Sequence, residues 1–106
     1  MRWEPEGIVT IPDGVGFLPF AVPGSDELMK ANVASLRTHR IVLWAKHGVM
    51  ARSDNSVKKA CDLIEYAETG ALYEYLNLSN HGLAEGLSDA EIRRICESFD
   101  VKQNIF

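Results

Sequence analysis

The run Ile41-Val42-Leu43-Trp44 constrains this chain more than any other stretch. It lacks the polar alternation of a half-solvated strand, so it predicts a strand covered on both faces. Helical stripes lie on either side of it in sequence. Upstream, Ser25 suits an N-cap and Asp26 and Glu27 fall in a first turn, where the helix dipole favours carboxylates. Leu28, Ala31, Val33, Ala34 and Leu36 then supply an apolar side up to about His39. Downstream, Val57, Ala60, Cys61, Ile64, Ala67, Ala71, Tyr75 and Leu78 follow the spacing of a long helix that tolerates Gly70.

The remaining segments read in the same way. Gly7 to Ile11 is β-branched and short and is closed by Pro12-Asp13-Gly14, which predicts a strand over 8–11 and then a turn. DGVGFLPFAVPGSD follows, and its glycines and prolines predict a shaped loop, long enough to be functional. Val49 to Ala51 is expected to resume the strand after His47-Gly48. The segment from Ser79 to Gly86 reads as a loop, after which Ser88 and Glu91 form a capping box opening a short helix through Phe99. The tail from Lys102 to Phe106 is expected to fray. The pattern is α/β, with two or three strands and about three helices.

Composition narrows the function classes. A chain of 106 residues that is 46% hydrophobic can build one domain with a modest core, and no repeat, low-complexity tract or linker divides it. No apolar run is long enough to span a membrane. A formal net charge of −4 with scattered basic residues argues against a nucleic-acid partner. Cys61 and Cys96 stand apart without a CxxC, and the N-terminus carries no basic-then-apolar signal, so reduced thiols and a cytoplasmic location are expected.

Few motifs announce chemistry. Gly14-Val15-Gly16-Phe17-Leu18-Pro19 approaches a dinucleotide-binding loop but has proline where a third glycine is needed, so turn geometry is the better reading. Neither a P-loop nor a GxSxG elbow occurs. His39, His47 and His81 are far apart and form no HxH or HExxH pair. His39 suits a helix C-terminus, where its charge complements the dipole. His47 is the unusual one, because imidazole taken out of water in a strand needs a partner for each ring nitrogen. It has such a partner, or lies at the surface, or binds something. Glu6, by composition, is a surface carboxylate just ahead of a strand.

GIVTIPDGVGFLPFAVPGSDE, RIVLWAKHGV and the helix containing LIEYAE together resemble the C-terminal part of the zinc-dependent class II aldolases of the rhamnulose-1-phosphate type. The resemblance covers nearly the whole chain. Its most specific piece is PDGVG-x-LP-x-x-VPG followed by LW-x-x-HGV. It implies a partial α/β/α sandwich, forming the C-terminal portion of a single class II aldolase domain over residues 1–106. It further implies that His47 is a zinc ligand, with Gly48 letting the backbone pass close to the site. Glu6 matches a glutamate that reaches a neighbouring subunit's active site and could relay the proton leaving the hydroxyl that becomes an aldehyde.

For the complete enzyme the resemblance implies reversible cleavage of L-rhamnulose 1-phosphate to dihydroxyacetone phosphate and L-lactaldehyde in a homotetramer. Zinc would act as a Lewis acid that stabilises the enediolate. Lys46 is then a solvated neighbour of His47, since no Schiff base is needed. The family's other zinc-binding histidines, an upstream HxH pair, its further glutamate and its phosphate loops have no counterpart here. The chain is therefore expected to be a C-terminal fragment that is inactive alone, with strand edges left exposed. Two other readings stay open: a non-catalytic aldolase-like binding module, and another class II aldolase or 4-epimerase acting on a sugar phosphate.

Overall fold

Pro5 opens the first helix. The computed structural model describes residues 2–103, and among these the order is α1 (Pro5–Thr10), β1 (Val15–Leu18), α2 (Asp26–Ser35), β2 (Ile41–Trp44), β3 (Gly48–Ala51), α3 (Val57–Ser79) and α4 (Asp89–Phe99). The architecture is α/β, as expected, with a mixed sheet ordered β1-β2-β3. The chain divides into two compact units, one formed by Asp13–Ile64 and the other by the segments flanking it, and α3 runs from one into the other.

The strand expected over 8–11 is instead the end of α1 and the residue after it. Three local causes outweigh the β-branched composition. Proline at the first helical position has its φ already set and no N–H to lose, and Glu6 sits in the first turn where the dipole favours it. Thr10 also satisfies its hydroxyl inside the helix, donating from Oγ1 to the Glu6 carbonyl at 2.6 Å. Pro12 then stops the helix, and Ile11 has already left helical geometry at φ −127°. The decisive cause is tertiary: α1 packs against α4 and buries Ile8, Ile11 and Ile92. Each such side chain contributes about 1.5–3 kcal/mol by leaving water. Arg2 ties the same unit together, accepting from Leu87 N–H at its carbonyl at 2.6 Å and pairing with Asp89 at 2.7 Å.

The second correction concerns the glycine-rich segment. Val15–Leu18 is not loop but the strand β1, paired in parallel with β2 in the register Val15↔Ile41 to Leu18↔Trp44. Gly16 makes this possible: a Cβ there would lie 2.6 Å from Ser35 Oγ and 3.2 Å from two atoms of the His39 ring. The glycine marks a close strand-to-helix approach rather than a turn. Gly14, at φ 74°, does supply the turn before it.

Other expectations hold with altered limits. Ser25 caps α2, accepting from Leu28 N–H at 3.2 Å, but the helix stops at Ser35 rather than near His39. Ser56 caps α3 through Lys59 N–H at 3.1 Å. The Ser88–Glu91 capping box is complete in both directions and α4 ends at Phe99. Helices therefore number four among the described residues, α1 being the addition. Of the tail, residues 104–106 lie outside those described, and Lys102 and Gln103 carry no regular structure.

Candidate active-site elements

β2 is buried only where it begins. Ile41 and Val42 are fully buried, Leu43 is exposed and Trp44 is intermediate, so the expected cover on both faces stops halfway along the strand. The chain then reverses. β3 does not resume β2 but pairs with it antiparallel, Trp44 opposite Gly48 and Ile41 opposite Ala51. Ala45, Lys46 and His47 form the connecting turn. His47 N–H donates to the Trp44 carbonyl at 3.0 Å, and Lys46 takes φ 59°, the sign required at the third residue of a type II turn. Ala45 N–H reaches the Leu18 carbonyl at 3.0 Å, which ties the turn to β1 as well.

This geometry answers the question raised by an imidazole in a strand: His47 is outside the strand, exposed at the end of the sheet. Its ring lies 5.1 Å from the Trp44 ring, tilted by 43°. The indole is itself held, since Trp44 Nε1 donates to Asn32 Oδ1 on α2 at 2.9 Å. No side-chain hydrogen bond engages the His47 ring nitrogens among the described residues. The imidazole is thus oriented by contact with Trp44 and keeps its nitrogens available. Asn32 and Trp44 were not singled out from sequence, and no local signal could have done so, because their contact joins a helix to a strand. A Cβ at Gly48 would meet nothing within 4 Å, so Gly48 serves no close packing within this unit.

Glu6 lies in the other unit, in the first turn of α1 rather than ahead of a strand, and is exposed. Its neighbour Glu4 is the residue that sequence reasoning missed. Glu4 occupies the N-cap without a side-chain cap bond, and its Oε1 is buried with no hydrogen-bond partner. Burial, and then the nearby Glu6 carboxylate, hold the Glu4 carboxyl above its ordinary range. Only its place before Pro5-Glu6 hinted at this in the sequence.

The other histidines have structural settings. His39 Nδ1 lies 3.0 Å from Thr38 Oγ1 and 3.3 Å from the Ser35 carbonyl, beside Gly16, so it is a half-buried residue held just beyond the end of α2. His81 takes φ 62° in the turn after α3. Cys61 and Cys96 are free thiols.

Residues 3–75 match the family model described as the class II aldolase and adducin N-terminal domain. The chain belongs to that family. Similar class II aldolases include the rhamnulose-1-phosphate aldolase of Enterococcus faecalis, 35% identical over 94% of this chain and 36% of the relative. That of Escherichia coli is 36% identical over 93% of this chain and 36% of the relative. That of Listeria monocytogenes is 30% identical over 92% and 35%. The chain spans little more than a third of the relatives it matches. Both Glu6 and His47 fall inside the class II aldolase match. No helix among the described residues is long and apolar enough to cross a membrane.

Zinc, which the family resemblance implies, does not fit the described residues by themselves. A zinc held for catalysis takes about three protein ligands. No group of three or more His, Cys, Asp or Glu side chains among the described residues is arranged to hold a metal. His47 offers one donor.

Proposed function

We propose that this chain supplies part of the active site of a class II aldolase that reversibly cleaves L-rhamnulose 1-phosphate into dihydroxyacetone phosphate and L-lactaldehyde. The observation that carries the proposal is the similarity of nearly the whole chain to rhamnulose-1-phosphate aldolases of several organisms. The setting of His47 supports it. A ring steadied by Trp44 on a tight hairpin turn, with no competing hydrogen bond among the described residues, is a ready donor. In this reading His47 is one ligand of a zinc whose remaining ligands come from polypeptide other than residues 2–103, and the enzyme is a homotetramer in the cytoplasm.

The role assigned to Glu6 follows from what the reaction requires. Breaking the carbon–carbon bond of the ketose phosphate turns a hydroxyl into an aldehyde, so the hydroxyl proton must leave as the bond breaks. A carboxylate within hydrogen-bond reach can take it. Glu6 is exposed on α1 and therefore able to meet substrate held by a neighbouring subunit, where it would act as that base. The chain alone, with a single imidazole donor, is inactive.

Two measurements test the reading. Sequence encoded immediately upstream of Met1 should contain an HxH pair and a glutamate in the same frame. The complete enzyme should then release dihydroxyacetone phosphate from rhamnulose 1-phosphate faster than from fuculose 1-phosphate, and should not epimerise pentose phosphates. Absence of the HxH pair together with binding but no turnover would instead make the chain a binding module.

A further inference from the structure

The indole of Trp44 has no side chain directly across the hairpin from it. Its register partner on β3 is Gly48, and a Cβ built there would meet nothing within 4 Å. A directly opposite side chain is what ordinarily steadies a residue on the face of an antiparallel pair. The backbone ladders, to Leu18 on one side and Gly48 on the other, fix where the Trp44 side chain leaves the sheet. They do not fix how the indole turns about its own χ2, a torsion with two broad and roughly opposite wells.

One hydrogen bond makes that choice. Indole has a single N–H, on one edge of the ring, and Trp44 Nε1 donates it to Asn32 Oδ1 on α2 at 2.9 Å. Turning the ring over would carry the N–H away from α2 and leave both groups without this partner. Both residues are half-buried, where losing a partner costs more than it does at the surface. His47 in turn depends on Trp44 twice: its N–H donates to the Trp44 carbonyl at 3.0 Å, and its ring lies 5.1 Å from the indole, tilted by 43°. An exposed side chain on a turn otherwise hops freely between rotamers. Contact with an indole of fixed orientation is what restrains this one.

We infer that Asn32 is a positioning residue for the candidate site: by selecting one orientation of the Trp44 indole, it sets the direction in which the His47 imidazole points. The path runs from α2 to the end of β2 and on to the turn, and each link is a named pair of groups. Its consequence for turnover rests on the reading of His47 as a site residue given above, whereas its consequence for the ring does not. Removing a supporting partner of this kind typically costs about 10–100-fold in activity.

Three variants of the 106-residue chain, compared by nuclear magnetic resonance at one fixed pH, test it. Asn32→Leu keeps the size and removes the acceptor, Asn32→Asp keeps an acceptor oxygen, and Ser25→Ala weakens α2 at its cap without touching the indole. Cross-relaxation between the His47 and Trp44 rings should be lost in Asn32→Leu and retained in the other two. Trp44→Phe, which keeps a ring but has no donor, should likewise free the His47 ring, and this serves even where Asn32→Leu does not fold. In the complete enzyme Asn32→Leu should lower kcat by about 10–100-fold with KM nearly unchanged, and Asn32→Asp should restore most of it. Retained ring contact in Asn32→Leu, or an unchanged His47 ring in Trp44→Phe, overturns the inference. So does equal loss of ring contact in Ser25→Ala, which would make the bond a helix anchor only, or a kcat that falls with His47→Ala but not with Asn32→Leu. A kcat indifferent to both of those variants would instead refute the catalytic reading of His47, and the ring measurement would still decide the role of Asn32.

Discussion

The Trp44 indole and the His47 imidazole lie 5.1 Å apart across the turn between β2 and β3, with the indole nitrogen bonded to Asn32. That relationship holds a solvent-facing imidazole at the end of a strand whose first residues are fully buried. It also separates a ligand role for His47 from a structural one, because the two differ in what is lost on substitution.

His47→Ala in the complete enzyme should lower zinc content and activity together, as removal of a direct ligand does. In the isolated chain its cost in stability should be no more than about 0.5 kcal/mol, the value for a surface substitution and the low end for an aromatic pair. Metal analysis beside a denaturant melt checks both. Retained zinc with a loss of several kcal/mol would identify His47 as a structural residue.

The purified 106-residue chain should not cleave rhamnulose 1-phosphate. One imidazole does not hold a catalytic zinc, and correct placement of reacting groups can supply up to about 7–11 kcal/mol of a barrier reduction. A coupled assay for dihydroxyacetone phosphate, with and without added zinc, is the measurement. Turnover above the solvent blank would refute this.

Glu6→Gln in the complete enzyme should reduce kcat by about 10²-fold or more, the contribution of a positioned general base, while zinc content and oligomeric state stay unchanged. Glu6 is exposed on α1, so stability should move little. Wild-type kinetics from this variant would leave His47 as the sole site residue assigned to this chain.

Gly16→Ala should destabilise the chain by about 1–3 kcal/mol, the usual cost of overpacking. The added methyl would lie 2.6 Å from Ser35 Oγ and 3.2 Å from the His39 ring. Adding Ser35→Ala should recover part of the loss, because it removes the nearer atom. An additive double variant in a urea melt would mean that the strain is relieved elsewhere.

Two carboxylates give stability opposite pH dependences. Backbone and side-chain hydrogen bonds from Ser88 hold the Glu91 carboxyl below its ordinary value of 4.5, so its contribution is present above that value and is lost as pH falls through the lowered one. Burial and Glu6 raise Glu4 above 4.5, so the protonated form suits the fold and stability is lost as pH rises through the raised value. Glu91→Gln should therefore flatten the acid limb of a stability profile, and Glu4→Gln should remove the decline just above 4.5. Urea midpoints across pH 3 to 7 for both variants provide the check, and coincident profiles would sink the assignment.

What the sequence determined by itself was whatever its near neighbours could satisfy. Ser25 bonding to Leu28 and Ser88 exchanging bonds with Glu91 span three positions each, so the starts of α2 and α4 are written locally. The apolar stripe of α3 and the run Ile41–Trp44 are likewise legible without partners. The motif around His47 marked the residue for attention and, through family resemblance, gave it a role. Tertiary structure decided the rest. Ile8 and Ile11 are β-branched and read as strand, but burying them against α4 favours the helix that Pro5 can start. The glycines and prolines of the next segment read as loop, yet β2 supplies Val15–Leu18 with a hydrogen-bonding ladder that nothing nearby in sequence could offer. Whether Val49–Ala51 continued β2 or turned back on it depended on the left-handed Lys46 and on backbone pairing across the turn, neither of which has a signature in hydrophobic pattern. The exposure of His47 followed from that reversal: local bonds can be read from spacing, whereas the direction of a chain after a turn is set by the strand it finds to pair with.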